Sequence, residues 1–209
     1  MLQNNFGLNE KELLILKKLD SFSKIQDFIN NIPINFEKDG KDTCLSPRRV
    51  LRENRAHCIE GALLAALAIR LNGLGESLVV DMRASQGDYD HVIAVFKQNG
   101  KWGAITKTNH AVLRYREPIY DSVHELIMSY FHEYTNEKGN KTLREFSEPI
   151  NLAIFDNTDW VTSEDNLWFI HDYIDRVKHY KILSEKQEKN LRKADLLEIQ
   201  SGKLTEWKK

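Results

Sequence analysis

Apolar residues recur at helical spacing in the first part of the chain. Leu13, Leu14, Ile15, Leu16 and Leu19 give one face to a short helix, and Asn9 with Glu12 has the spacing of a capping box. A second helix is predicted from residue 21 or 23 to 31, with Ile25, Phe28 and Ile29 inward and Pro33 ending it. Residues 34–55 show no period; Gly40 and Pro47 read as punctuation, and Arg48, Arg49, Arg52 and Arg55 concentrate positive charge. Residues 57–71 form a helix that ends at Gly73, a C′ glycine. Between Gly61 and Ile69 no side chain is charged or polar, and a helix apolar all round is a buried one. Its alanines, Ala62, Ala65, Ala66 and Ala68, allow neighbours to approach closely.

The period then shortens to two. A strand at 77–82, a polar loop at 83–90 and a strand at 91–97 lead into Asn99-Gly100, a two-residue hairpin turn, and a return strand at 101–108. Opposed residues in that hairpin sum to 199, which sets His91 opposite Thr108 and diagonal to Thr106. Alternation puts His91, Ile93 and Val95 on one face with Ala104, Thr106 and Thr108, and this face is expected to pack on the 57–71 helix. Beyond Pro118 helices are predicted at 121–134, at 163–183 with Leu167, Ile170, Ile174 and Val177 in register, and from Ser184 to 199. Lys and Arg in this last third are interleaved with Glu and Asp, the mark of a solvated face.

Composition narrows the function classes. The chain has 209 residues, 41% hydrophobic and 29% charged, which is one ordinary globular domain. Thirty Lys plus Arg against 31 Asp plus Glu leave a net charge of −1, without the cation excess that nucleic-acid binding needs. The apolar run 61–69 is far short of the roughly 18 residues that span a bilayer, and residues 1–9 lack a secretory pattern. Two cysteines build neither a disulfide framework nor a four-thiolate zinc site, so a cytoplasmic protein with reduced thiols is expected. No metal or other cofactor is expected. His124-Glu125 is followed by Met128 where a metalloprotease motif needs histidine, and the pairs His124/His132 and His171/His179 are eight apart. No glycine-rich phosphate loop follows a strand.

What remains is thiol chemistry. Cys58 falls in the first turn of the buried helix, where unpaired backbone N–H groups and the positive dipole end favour a thiolate. The same position also suits a small core residue. Cys44, in the irregular segment, reads as structural. His57 reads as a cap or surface residue, because adjacent helical side chains diverge by about 100°. An imidazole must therefore come from elsewhere. His91, at a strand end beside a polar loop, can approach Cys58, with Thr106 or Thr108 at the far side of its ring.

These residues carry a family resemblance. His57-Cys58-Ile59-Glu60-Gly61-Ala62, then Asp90-His91-Val92, then Trp102-Gly103-Ala104-Ile105-Thr106, resemble the core of the transglutaminase-like superfamily, in an uncharacterised bacterial branch. The resemblance covers residues 44–110; Asn109-His110 and 114–118 resemble the narrower branch only. It implies an α+β fold related to the papain-like enzymes: a buried cysteine-bearing helix on a small antiparallel sheet, flanked by N- and C-terminal helices. The layout is a single domain, 1–209, with a core at 44–110 and a helical C-terminal extension at 111–209. It also implies a nucleophile at Cys58 and a general base at His91, acting on acyl groups of a peptide, protein or small amide.

One position departs from the family. Where an aspartate usually stands, four residues beyond the aromatic Trp102, this chain has Thr106. A hydroxyl can orient His91 but supplies no charge, and Asp81, Asp88 or Asp90 are alternative partners. The expected mechanism has Cys58 attack, His91 move the proton and Thr106 orient it. The Cys58 backbone N–H, with Asn54 upstream, stabilises the oxyanion. The competing expectations are a non-catalytic binding module, favoured by Thr106, and a helical interaction scaffold.

Overall fold

A computed structural model of the protein describes residues 5–37 and 40–208. The first four residues of the stretch read for a targeting signal lie outside them. Among the described residues the chain forms eight α-helices and one seven-stranded antiparallel sheet, an α+β fold. The N-terminal helices α1 (Glu10–Lys17) and α2 (Phe22–Asn31) begin where their caps predict: Asn9 and Glu12 form a capping box, and Ser21 accepts from the Lys24 N–H. Segment 34–55 is not wholly irregular, since α3 (Pro47–Glu53) lies within it, capped by Ser46. Pro47 opens that helix at its first turn, where proline's missing N–H costs nothing. Helix α4 (Cys58–Leu71) follows, buried from Ile59 to Ile69, and Gly73 closes it at φ +67°.

Strands β1 (Leu78–Ala84), β2 (His91–Gln98) and β3 (Lys101–Ile105) form the predicted meander. The β2–β3 register is Ala94 with Ile105 and Gln98 with Lys101, the pairing expected of an Asn99-Gly100 turn. Beyond it come β4 (Arg116–Tyr120), α5 (Val123–Met128), β5 (Leu143–Ser147), β6 (Ile150–Asn151) and a 3-10 turn at Leu152–Phe155. Helix α6 (Trp168–Arg176), β7 (His179–Lys181), α7 (Glu185–Lys189) and α8 (Leu196–Gly202) complete the order. The sheet runs β4-β3-β2-β1-β5-β7, with β6 also on β1.

The region 111–209 is therefore not a helical extension. It supplies four of the seven strands. The helix expected at 121–134 stops at Met128, and that expected at 163–183 breaks at Val177, whose extended backbone leads into β7 on β5. Helical spacing there survives only where α6 buries Ile170 and Ile174. Pro118 sits in β4, an edge strand where a missing donor is tolerated.

Apolar cores lie on both sides of the sheet. Helix α4 and its neighbours cover Val79, Val92, Ala94, Phe96 and Ile105. Helix α5 and the chain after it cover Val80, Met82, Ile93, Val95 and Ala104. The face carrying Ile93, Val95 and Ala104 thus meets α5, not the cysteine helix as expected. The reason is in the strand itself: residues 91–96 are buried on both faces, so alternation could not say which face meets which helix. Among the described residues no helix is long and apolar enough to cross a membrane.

Candidate active site

The first turn of α4 is anchored by a buried carboxylate. Glu60, fully enclosed, accepts from the backbone N–H groups of His57 and Leu45 (both 2.9 Å), the Thr43 hydroxyl (2.7 Å) and the Asn35 amide (3.1 Å). Every oxygen of this group is thus engaged, as burial requires. The four bonds tie the helix start to segment 35–45 and fix the positions of His57 and Cys58.

His57 is the N-cap residue, with extended backbone (φ −99°, ψ −170°). The 100° divergence of neighbours holds only inside a helix, so it does not separate His57 from Cys58. The His57 ring is hydrogen-bonded to Cys58, and its Nε2 lies 2.9 Å from the Thr43 carbonyl, 3.3 Å from Glu60 Oε1 and 3.4 Å from Glu37 Oε1. A carbonyl only accepts, so Nε2 carries a proton and Nδ1 is left for the sulfur. Burial works against charge on this ring, but the bond to Cys58 and the carboxylate of Glu60 prevail and push its pKa up to about 9.

His91 reaches the same sulfur. It is the first residue of β2, paired with Met82, and its side chain comes close enough to Cys58 to favour the thiolate. Although His91 alternates with the α5-facing residues, it and Cys58 both sit at element ends, where the sheet no longer separates its two faces. Burial opposes ionisation of Cys58 more than any single contribution. The hydrogen bonds from His57 and His91 and their charges together outweigh it, holding the thiol well below its usual range. Cys44 contrasts: fully buried, it is pushed up to about 12 by burial and by the nearby Glu60 and Cys58.

The other expected participants are elsewhere engaged. The Thr106 hydroxyl donates to the Leu113 carbonyl at 2.7 Å, and its backbone N–H and C=O pair with the Gln26 amide. Asn54 is an exposed left-handed C-cap of α3, and no hydrogen bond joins it to Cys58 among the described residues. Asp90 accepts from the Ala84 N–H, Asp88 from the Thr142 hydroxyl, and Asp81 is bound to His179. Among the described residues His91 Nε2 is buried without a hydrogen-bond partner, so neither a carboxylate nor a hydroxyl holds the ring at that nitrogen.

A cleft of about 740 Å³ opens beside His91. Its walls come from loop 86–90, from Thr108 to Leu113, from Glu133 to Asn140, and from Ile199 to Lys203 of the C-terminal helix. Sequence reasoning singled out Cys58 and His91 and read His57 as a cap or surface residue, which the structure places at the N-cap; it did not single out Glu60. The signal for Glu60 was present, since an acidic residue at the third helical position marks a reciprocal cap. Compared with known proteins, the chain matches no family model and no curated protein.

Proposed function

We propose that the chain is a transglutaminase-like cysteine enzyme that cleaves or transfers the acyl group of an amide in a peptide, protein or small molecule. The observation that carries this reading is Cys58, at the first position of a buried helix, with the imidazole of His91 brought to it from a remote strand and lowering its thiol pKa. In the reaction the Cys58 thiolate attacks the carbonyl carbon and forms the S–C bond. The carbonyl π electrons move to oxygen, beside helix-start N–H groups that have no intrahelical acceptor. His91 protonates the leaving amine as the C–N bond breaks. Water or a second amine then attacks the thioester carbon while His91 takes its proton, and the S–C bond breaks, its electron pair returning to Cys58 as thiolate. The oxyanion role of Asn54 and the orienting role of Thr106 are not part of this proposal, since their bonds lie elsewhere.

A second reading, a binding module that keeps the fold without turnover, is favoured by one observation: no acid holds His91 Nε2 among the described residues. Screening amide and peptide substrates with wild type and Cys58→Ala separates the two. Turnover by wild type that vanishes in C58A, with a thioester trapped by hydroxylamine, supports the enzyme. Equal residual rates support the binding module.

A further inference from the structure

We propose that His57 is a second catalytic imidazole, which stays protonated throughout turnover and holds Cys58 as thiolate, so that His91 alone moves protons. The proposal rests on Cys58 being the nucleophile. Its geometry is that of a ring whose Nε2 edge is lined by acceptors and which lies beside the Cys58 thiol. Nε2 faces the Thr43 carbonyl at 2.9 Å with Glu60 and Glu37 carboxylate oxygens at 3.3 and 3.4 Å, and the ring interacts with the Cys58 thiol, which leaves Nδ1 for the sulfur. A neutral ring can satisfy only one of these sides as a donor; an imidazolium satisfies both. Glu60 is fully enclosed and Glu37 sits just outside it, so a cation here is balanced by fixed negative charge.

The remaining groups around the pair do not displace His57 from this role. Arg55, after α3, is spent on Glu53 and Asn35. Lys107 runs past α4 to the carbonyls of Ile29 and Ile32 at the end of α2. Tyr134 donates to the Tyr89 carbonyl, and Cys44 is buried. The hydrogen-bonding groups that lower the Cys58 thiol pKa are His57 and His91. The upward shift of His57 agrees with a ring that keeps its proton at neutral pH. In the acylation step the sulfur's electron pair forms the S–C bond, the leaving nitrogen takes its proton from His91, and His57 neither gains nor loses one.

The test is the pH dependence of Cys58 alkylation by iodoacetamide in the full chain, read by peptide mapping, for wild type, His57→Gln and His91→Gln. Expected is a rise of at least one unit in the alkylation midpoint of H57Q, about tenfold slower reaction at pH 6. H91Q should lose substrate turnover yet still alkylate at pH 6 well ahead of an ordinary thiol. An H57Q profile that coincides with wild type overturns the role of His57. A wild-type midpoint near 8.5, that of an ordinary thiol, overturns the nucleophile reading as well, and the two results are distinct. Should H57Q fail to fold, histidine NMR of wild type and Cys58→Ser decides. A His57 ring doubly protonated at pH 7.5 in wild type, titrating at least one unit lower in C58S, supports the proposal. A ring neutral at pH 7 in wild type overturns it.

Discussion

Cys44 and Cys58 carry the same side chain into opposite electrostatic surroundings. Around Cys44 burial and the negative charges of Glu60 and Cys58 act together, so its thiol stays protonated at any ordinary pH. Around Cys58 two imidazoles supply hydrogen bonds that outweigh burial, so its thiolate persists near neutrality and is lost only as pH falls through the lowered value. At pH 6.5 an ordinary thiol is about 1% ionised, and the lower nucleophilicity of a stabilised thiolate offsets part of the gain. The expected net result is Cys58 labelled about tenfold faster than free cysteine at pH 6.5, with Cys44 untouched, measured by mass spectrometry of quenched time points. Labelling of both sites at similar rates would contradict this account. At this scale Cys58 was legible because a cysteine at a helix start has a local electrostatic meaning. His57 was legible as a cap residue, but not as a neighbour of the sulfur, because the extended backbone of an N-cap does not follow the helical divergence of side chains.

Helix α4 was legible as an element because an unbroken apolar run has only one comfortable place, the interior. Its partners were not. Gly61 shows why: a Cβ there would lie 2.4 Å from the Lys107 Cβ, a residue far away in sequence. Lys107 is itself 1% exposed, and its chain runs past the helix to the carbonyls of Ile29 and Ile32. Neither side of that clash is a flexible chain end, so rotation cannot relieve it. Gly61→Ala is expected to cost about 2–3 kcal/mol by overpacking. At about 2–4 °C per kcal/mol for a chain of this size, Tm should fall by about 4–12 °C in a thermal melt. Gly73→Ala is the control. It meets open space and bears only the strain of its φ of +67°, about 1 kcal/mol. An equal loss from both variants would remove the close approach as the cause. The hairpin was legible to the residue, because Asn99-Gly100 at φ +52° and +80° fixes both turn and register. Strands β5 and β7 were not, because Leu143–Ser147 and His179–Lys181 are short segments with charged residues among them, which tertiary pairing, not local pattern, makes into strands.

The C-terminal part of the chain cannot be removed as an appendage, since Trp160, Leu167, Ile170 and Ile174 are buried in the same core as α4. Among its polar contacts to the first strand, that of His179 with Asp81 is buried. His179 Nε2 lies 3.0 Å from Asp81 Oδ2, both groups are buried, and His179 Nδ1 lies 2.8 Å from the Val177 carbonyl. Nδ1 must donate to that carbonyl, so the ring and the carboxyl share one proton across the remaining contact. Burial raises the Asp81 carboxyl from 3.8 to about 6, only partly offset by His179. A carboxyl whose folded pKa is raised contributes stability that is fully present below the unfolded value. That stability is lost as pH climbs through the folded one. Asp81 therefore weakens the fold between about pH 4 and pH 6, the reverse of Glu12 and Glu53, whose lowered values favour the fold above the acid range. Asp81→Asn keeps a neutral partner that can donate to the Nδ1-protonated ring, and it removes the charge. Melts of wild type and D81N from pH 4 to pH 8 should therefore converge at the acid end and diverge upward, with the variant more stable by a few degrees at pH 8. The difference between the two curves cancels Glu12, Glu53 and every other titrating group common to both proteins. A variant less stable at pH 8 than at pH 4, relative to wild type, would mean that the charged pair, and not its neutral form, joins β1 to β7.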